Sequence, residues 1–333
     1  MAAAKMWVLA VGAALTLGAG PAALSRGAGV VDTTGAVSTI EISAGYLVPS
    51  SIDGHPARLK VGSYGLDRLV LNLDFVKKNG LKPAPLFGSA TLSLAGHNEF
   101  KGKNRPLSYQ VAGVAQKGRA AWFFGAPPSE GDGRIGPWAM PQARVSFALN
   151  PPAVGEVSHV FPLFGDANTS SVTGYEEAAF AMAVAFDVDA NGAYPLASAA
   201  VGAALARVYG GALSGESWQV PVVMGIKRPV RLLTLERPFI IGPFSFTKVA
   251  VRVRDRADRA GFGSEIRDAD VAQDPDEIIV SAKGKKGPAP AMSFVIPRGA
   301  MNDCSRLTFD KAAARITLNC RLAWQNKDIK RAI

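Results

Sequence analysis

Histidine and cysteine are scarce in this chain, which has three and two of them among 333 residues. His55, His97 and His159 lie far apart and form no HExxH or paired-His motif, so the common zinc hydrolase sites are excluded. A G-x-S-x-G nucleophile elbow is also missing. Gly261 and Gly263 lack the strand and helix that flank a nucleotide phosphate loop. We therefore predict neither a metal nor a cofactor.

Long apolar runs are missing after the N-terminus, where no segment approaches the roughly 18 apolar residues of a membrane-spanning helix. The apolar stretch Met6–Leu17 follows Lys5 and is followed by small residues. This order is typical of a secretory signal peptide, with an uncleaved N-terminal anchor as the alternative. We assign residues 1–25 to the signal and predict a soluble periplasmic or secreted protein.

Positive charge is in excess, with a formal net charge of +10. Charge alone would suit a nucleic-acid-binding protein, but export and the lack of interleaved aromatic and basic residues argue against that class. The densest basic run places Arg252, Arg254 and Arg256 at alternate positions, on one face of a strand. That face is either solvated or binds an anionic envelope polymer or lipid headgroup.

The composition favours a mostly β fold, because 35 glycines and 22 prolines indicate many turns between short elements. Predicted strands fall into two blocks with one helix each, at 69–79 and 196–208. The predicted divisions are a first lobe at 27–150, a turn-rich linker at 151–177, a second lobe at 178–322 and a charged tail at 323–333.

The two cysteines lie at the ends of a predicted hairpin. Strands are predicted at Arg306–Phe309 and Arg315–Leu318, around a turn near 311–314. This hairpin places Cys304 opposite Cys320, so we predict a disulfide rather than a metal site.

The two blocks contain similar short motifs in the same order along the chain. Val61-Gly62-Ser63-Tyr64-Gly65 follows the first strand of one block, and Val188-Asp189-Ala190-Asn191-Gly192 follows that of the other. Near the block ends, Ile135–Leu149 and Ile296–Asp310 share Ala-Met, then Arg, an aliphatic residue, a hydroxyl residue and Phe. These two matches in the same order predict an internal duplication.

Several segments together resemble the retropepsin and pepsin-type aspartic peptidases. Ile52–Val61, with the turn and helix after it, resembles the start of a lobe of that family. Asp132-Gly133-Arg134-Ile135-Gly136 is similar to the family's Asp-Gly-hydrophobic-hydrophobic-Gly loop, and Val188–Ala193 resembles its Asp-Thr-Gly-Ala turn. The resemblance implies two retropepsin-like β lobes related by a pseudo-dyad, each with one short helix.

Catalysis in that family requires one aspartate from each lobe, and the pair shares a proton so that one acts as base and the other as acid. By this resemblance Asp189 is the lone catalytic candidate, and Gly62 stands where its partner would be. Asp67, predicted to enter the helix, is a weaker substitute, and Asp189 alternatively caps a turn. The predicted cleft residues are Gly62, Ser63, Gly65, Asp132, Gly133, Gly136, Ala190 and Gly192.

Three functions follow as hypotheses. The first is an exported, catalytically impaired protein that binds an extended peptide or envelope polymer between its lobes. The second is an active aspartic endopeptidase with an atypical dyad. The third is an envelope structural or assembly factor that uses the basic strand face. The oligomeric state is left open.

Overall fold

A computed structural model describes residues 38–321 except 44, 95–97, 166–170, 178–179, 224 and 254–291. The predicted signal peptide, Arg254, Arg256 and the charged tail lie outside the described residues. The described part is mostly β, as the composition predicts.

The elements of the described part are given in chain order. The first half contains β1 (Thr39–Ile42), β2 (Leu47–Ile52), β3 (His55–Val61), β4 (Leu69–Leu71), α1 (Leu73–Lys78), β5 (Ser89–Leu94), β6 (Asn98–Val111), β7 (Val114–Phe123), β8 (Gly133–Ile135) and β9 (Arg144–Ala148). The second half contains β10 (Glu156–Pro162), β11 (Thr173–Glu177), β12 (Phe180–Asp187), β13 (Leu196–Ala197), α2 (Ala199–Tyr209), β14 (Ala212–Val223), β15 (Ile226–Ile241) and β16 (Phe244–Arg252). It ends with β17 (Ser293–Pro297), a 3-10 turn (Arg298–Met301), β18 (Cys304–Asp310) and β19 (Arg315–Arg321).

Two seven-stranded sheets repeat one strand order. The first sheet runs β2-β3-β8-β4-β7-β6-β5, and the second runs β11-β12-β17-β13-β16-β15-β14, so each strand has its counterpart nine labels later. A five-stranded sheet, β1-β9-β18-β19-β10, takes strands from both halves. The connectivity of the first half therefore recurs in the second, and the shared sheet joins them.

A late, short strand is inserted between two early strands in each seven-stranded sheet. In the first sheet β8 lies parallel to β3 and antiparallel to β4. In the second, β17 lies parallel to β12 and antiparallel to β13. Because β8 packs closely on β4, a Cβ on Gly133 would lie 2.5 Å from the carbonyl oxygen of Val70. The turns after β3 and β12 thus occupy matching places.

Both predicted helices begin later than expected. The first three residues of the first predicted helix form the strand β4, and all three are buried. The helix α1 follows this strand. The start of the second is β13, and Ser198 then caps α2 by accepting a hydrogen bond from the Val201 N–H. In both halves the pairing with neighbouring strands overrides local helix propensity.

The C-terminal hairpin is confirmed. Cys304 and Cys320 are paired across β18 and β19 and form a disulfide. The predicted linker, 151–177, contains β10, which pairs with β19, and β11, which pairs with β12. The predicted linker is therefore not loop alone, and both of its strands pair with strands of the second half.

One large apolar core extends through both halves and the shared sheet, and it includes Val61, Ile135, Phe186 and Ile296. Arg252 at the end of β16 is buried, with 6% of its surface exposed, so at this position the expectation of a solvated basic face is wrong. None of the helices in the described ranges is long and apolar enough to cross a membrane.

Candidate functional site

The turns that follow β3 and β12 meet through one buried hydroxyl group. The Ser63 hydroxyl donates to the Phe186 carbonyl oxygen at 2.8 Å and accepts from the Val188 N–H at 2.9 Å. Ser63 has only 1% of its surface exposed, so both bonds are shielded from water. The hydroxyl therefore fixes the first turn against the backbone on either side of Asp187.

Strand pairing gives the correspondence between the two turns. Val61 is paired with Ile135 in the first sheet, and Phe186 is paired with Ile296 in the second. Ile135 and Ile296 both begin the repeated segments that contain Ala-Met. By this register the counterpart of Gly62 is Asp187, and the counterpart of Ser63 is Val188.

Arg134, in the middle of β8, fills the space beside Gly62. A Cβ on Gly62 would lie 2.7 Å from the Nη2 atom of Arg134. That Nη2 donates to the Tyr64 carbonyl oxygen at 2.7 Å, while the buried Nε has no partner. Burial lowers the pKa of Arg134, and the carboxylates of Asp189, Asp187 and Asp67 oppose this shift. The position opposite Asp187 thus carries a cation rather than a second carboxylate.

Asp187 ends β12 and lines the space between the halves. Its Oδ1 accepts from the Asp189 N–H at 2.9 Å. Burial raises its pKa to about 6, and the Asp189 charge adds to the rise, while Arg134 and two backbone N–H groups oppose it. Asp187 is therefore the perturbed carboxyl of this turn, and it also serves as the local cap.

Asp189, the residue predicted as the catalytic candidate, is exposed and forms an ion pair. Its Oδ1 lies 3.1 Å from the Nζ of Lys60, which also lies 3.2 Å from Glu130. Burial lowers the pKa of Lys60, but the Asp189 and Glu130 carboxylates outweigh it and leave the pKa raised. Since Lys60 belongs to β3, this pair connects the two halves across their junction. The assignment of Asp189 as the catalytic residue stays a prediction.

A cleft of about 510 Å³ lies between the halves, a volume typical of ligand sites. The first half contributes Lys60, Tyr64 and Arg134, and the second contributes Asp187 and Asp189. The end of the β14–β15 hairpin also lines it, through Pro221, Val222, Val223 and Gly225. Charged groups therefore occupy the base of the cleft, and an apolar hairpin end borders it.

The other predicted cleft residues have mixed positions. Ala190 lines the cleft, and Gly65 packs on Arg134, with its Cβ position 3.1 Å from Nη2. Gly192 is exposed in the second turn. Asp132 accepts from the Arg58 N–H at 2.8 Å and lines a second cavity, of about 370 Å³. Gly133 and Gly136 are buried.

Asp67 lies before β4 and not at a helix start as expected. It is 2% exposed and accepts a hydrogen bond from the Ser171 hydroxyl at 2.6 Å. Burial raises its pKa to about 8, and hydrogen bonds from Ser171 and Trp138 oppose the rise. Asp67 does not line the cleft, and its role as a substitute carboxylate stays a prediction.

Neither a protein-family model nor a curated protein matches this chain.

Sequence reasoning missed Asp187 and Arg134. The motif comparison pairs Val61 with Val188, which lies two residues after its structural counterpart Phe186, and so it passes over Asp187. The apolar run that ends at Phe186 is the signal that could have found Asp187. Arg134 stands at a hydrophobic position of the Asp-Gly-hydrophobic-hydrophobic-Gly loop, and this departure is a signal for a changed site.

In the described ranges, no group of three or more His, Cys, Asp or Glu side chains could hold a metal ion. The charged groups that line the cleft include Asp187, Arg134 and the ion pair of Lys60 with Asp189. These groups can form hydrogen bonds and ion pairs with a ligand in the cleft.

Proposed function

We propose that this chain is a two-lobed, aspartic-peptidase-like protein that binds an extended peptide in its cleft without cleaving it. The observation that carries the proposal is that the Nη2 atom of Arg134 lies 2.7 Å from the Cβ position of Gly62, where the likeness to the peptidases would place a carboxylate. The repeated strand order and the bridging Ser63 hydroxyl support the likeness to the retropepsin and pepsin family.

Loss of catalysis follows from the charge beside Asp187. An aspartic dyad depends on two close carboxylates that share one proton, since only then is one a base while the other is an acid. Opposite Asp187 this chain has no side chain at Gly62 and a guanidinium group from Arg134. A guanidinium stays protonated, so it cannot exchange a proton with a held water.

Binding of an extended chain suits a cleft between two β halves. Peptides commonly bind in such places by backbone hydrogen bonds to strands or turns, with side-chain pockets adding specificity. Here the β14–β15 hairpin end offers an apolar surface through Pro221, Val222 and Val223. An envelope polymer with hydrogen-bonding groups is the alternative ligand. The Cys304–Cys320 disulfide supports an oxidising compartment, as an exported protein would meet.

The active-peptidase alternative requires a carboxylate to approach Asp187 from the first half, and the Arg134 side chain already occupies the place beside Gly62. The assembly-factor alternative loses support at Arg252, which is buried.

A blocking variant tests binding in the cleft. Ala190→Trp would fill part of the cavity, and we expect it to weaken binding of fluorescein-labelled casein fragments by about tenfold or more, measured by fluorescence polarisation. The control is Ala312→Trp in the exposed β18–β19 turn, which should bind as the wild type does. Equal binding by wild type and Ala190→Trp, or no binding by either, would contradict the proposal.

A further inference from the structure

We infer that the cleft selects ligands that carry a carboxylate, and that this carboxylate binds the Arg134 guanidinium beside Gly62. The inference rests on the proposed peptide-binding function and adds the class of ligand to it. Two sources share this chemistry, namely an Asp or Glu side chain and the C-terminal carboxylate of a peptide.

The first argument is the state of the Arg134 side chain. Nη2 donates to the Tyr64 carbonyl oxygen, but the buried Nε has no partner. Within the described residues Arg134 forms no salt bridge. The carboxylates of Asp189, Asp187 and Asp67 raise its pKa only through charge interactions over longer distances. A partly buried guanidinium group without an ionic partner is costly, since burial of charge is offset only by pairing. A ligand carboxylate would supply that pairing with parallel N–H···O bonds.

The second argument is the charge balance of the cleft lining. Lys60 is already paired with Asp189 and Glu130. Arg298 also lines the cleft, and within the described residues it donates to the Leu149 carbonyl oxygen rather than to a carboxylate. The lining has three cations (Lys60, Arg134 and Arg298) and three acids (Glu130, Asp187 and Asp189), so its formal charges balance. Because Glu130 and Asp189 both pair with Lys60, Arg134 and Arg298 are the cations of the lining without a salt bridge to a described carboxylate.

Asp187 repels an anionic ligand only weakly. Its pKa is raised to about 6, chiefly by burial, so near pH 6 it is about half neutral. The charged and titratable groups that act with it are Asp189, Arg134 and Tyr64. A neutral Asp187 can donate a hydrogen bond to a ligand oxygen, whereas a basic ligand would meet Arg134 instead.

The third argument is position. Arg134 itself lines the cleft between the halves, so a carboxylate that enters the cleft can reach its side chain.

The test uses short fluorescein-labelled peptides of Ala, Val and Ser in four forms. One has a free C-terminus, one is C-terminally amidated, and the other two are amidated with a central Glu or a central Gln. We expect the wild type at pH 6 to bind the Glu peptide, the free-acid peptide or both about tenfold more tightly than the Gln and amidated forms. Preference for only one acidic form would identify the source of the carboxylate.

The Arg134→Met variant should reduce this preference to within about twofold while it still binds the Gln peptide, which distinguishes loss of charge recognition from loss of the cleft. Arg134→Lys should keep part of the preference. Arg207→Met, an exposed arginine in the last turn of α2, is the matched control and should behave as the wild type. If Arg134→Met does not fold, Arg134→Lys and the wild-type comparison of both acidic peptides with their neutral forms still decide.

The outcomes are distinguishable. Equal binding of the acidic and neutral forms by the wild type overturns the inference and leaves the proposed function standing. Failure of all four peptides to bind overturns both. Cleavage of any of them overturns the proposed function.

Discussion

The Nη2 atom of Arg134 lies 2.7 Å from the place that a Cβ would take on Gly62. The glycine and the arginine are therefore linked, because any side chain at position 62 must displace the guanidinium group. Gly62 and Arg134 thus form one local arrangement, and changing either alone would not create a pair of carboxylates.

Gly62→Asp alone should place its new carboxylate against Arg134, since opposite charges in contact attract. The double variant Gly62→Asp/Arg134→Leu instead puts two carboxylates together. Only in the double variant do we expect one apparent pKa of the pair to rise clearly above the value of about 6 for Asp187, while the other falls. NMR titration of carboxyl carbons measures this. Similar titration curves for the single and double variants would show that positions 62 and 187 do not face each other.

Ser63→Ala should destabilise the protein by about 2 kcal/mol or more, because it leaves the Phe186 carbonyl and the Val188 N–H buried without a partner. Ser63→Thr keeps the hydroxyl and is the matched control. Urea denaturation measures the free energy of unfolding of each. A loss below about 0.5 kcal/mol for the alanine variant would mean that the hydroxyl does not hold the two turns together.

Asp67 should make stability depend on pH. Its pKa is about 8 in the folded protein and near 3.8 when unfolded, so the folded state binds the proton more tightly. The resulting stabilisation is full below about pH 4 and is lost as pH rises toward 8. Arg134 and Lys311 also act on this carboxyl, and both favour its charged form.

Asp67→Asn removes this contribution, so the variant should gain stability relative to the wild type between pH 5 and pH 8. Urea denaturation at the two pH values measures the change. The exposed Asp74→Asn in α1 controls for the loss of a carboxylate. A wild type that becomes more stable relative to Asp67→Asn as pH rises would contradict the raised pKa.

Removal of the Cys304–Cys320 disulfide by Ser substitution of both residues should lower the free energy of unfolding by about 3 kcal/mol, as expected for a loop of this length. Thermal denaturation with and without reductant measures it. The reductant should lower the melting temperature of the wild type and leave that of the variant unchanged. If reductant changes neither the melting temperature nor the free energy of unfolding of the wild type, the disulfide does not stabilise the protein.

Local patterns predicted the β-rich fold and the cysteine hairpin, because turns, alternation and cysteine spacing are encoded over short stretches. They did not predict where β4 and β13 begin. Leu69–Leu71 and Leu196–Ala197 become strands because β8 and β17, far along the chain, pair with them. Such a pairing is not visible in a local window.

The site was predicted only in part for the same reason. Gly62 and Ser63 were predicted as cleft residues, but neither lines the cleft. The register that matches Gly62 to Asp187 depends on Val61 pairing with Ile135 and Phe186 with Ile296. These pairs are more than 70 residues apart in the chain. The buried position of Arg134 likewise depends on its neighbours in space.

The central claim is that the cleft holds a peptide intact. The most direct measurement is mass spectrometry of the peptides that coelute with the protein after prolonged incubation with casein fragments between pH 4 and pH 7. We expect the bound peptides to keep their full mass and the unbound pool to stay unchanged. The appearance of new fragments that Asp187→Asn abolishes would contradict the account and show that Asp187 still catalyses hydrolysis.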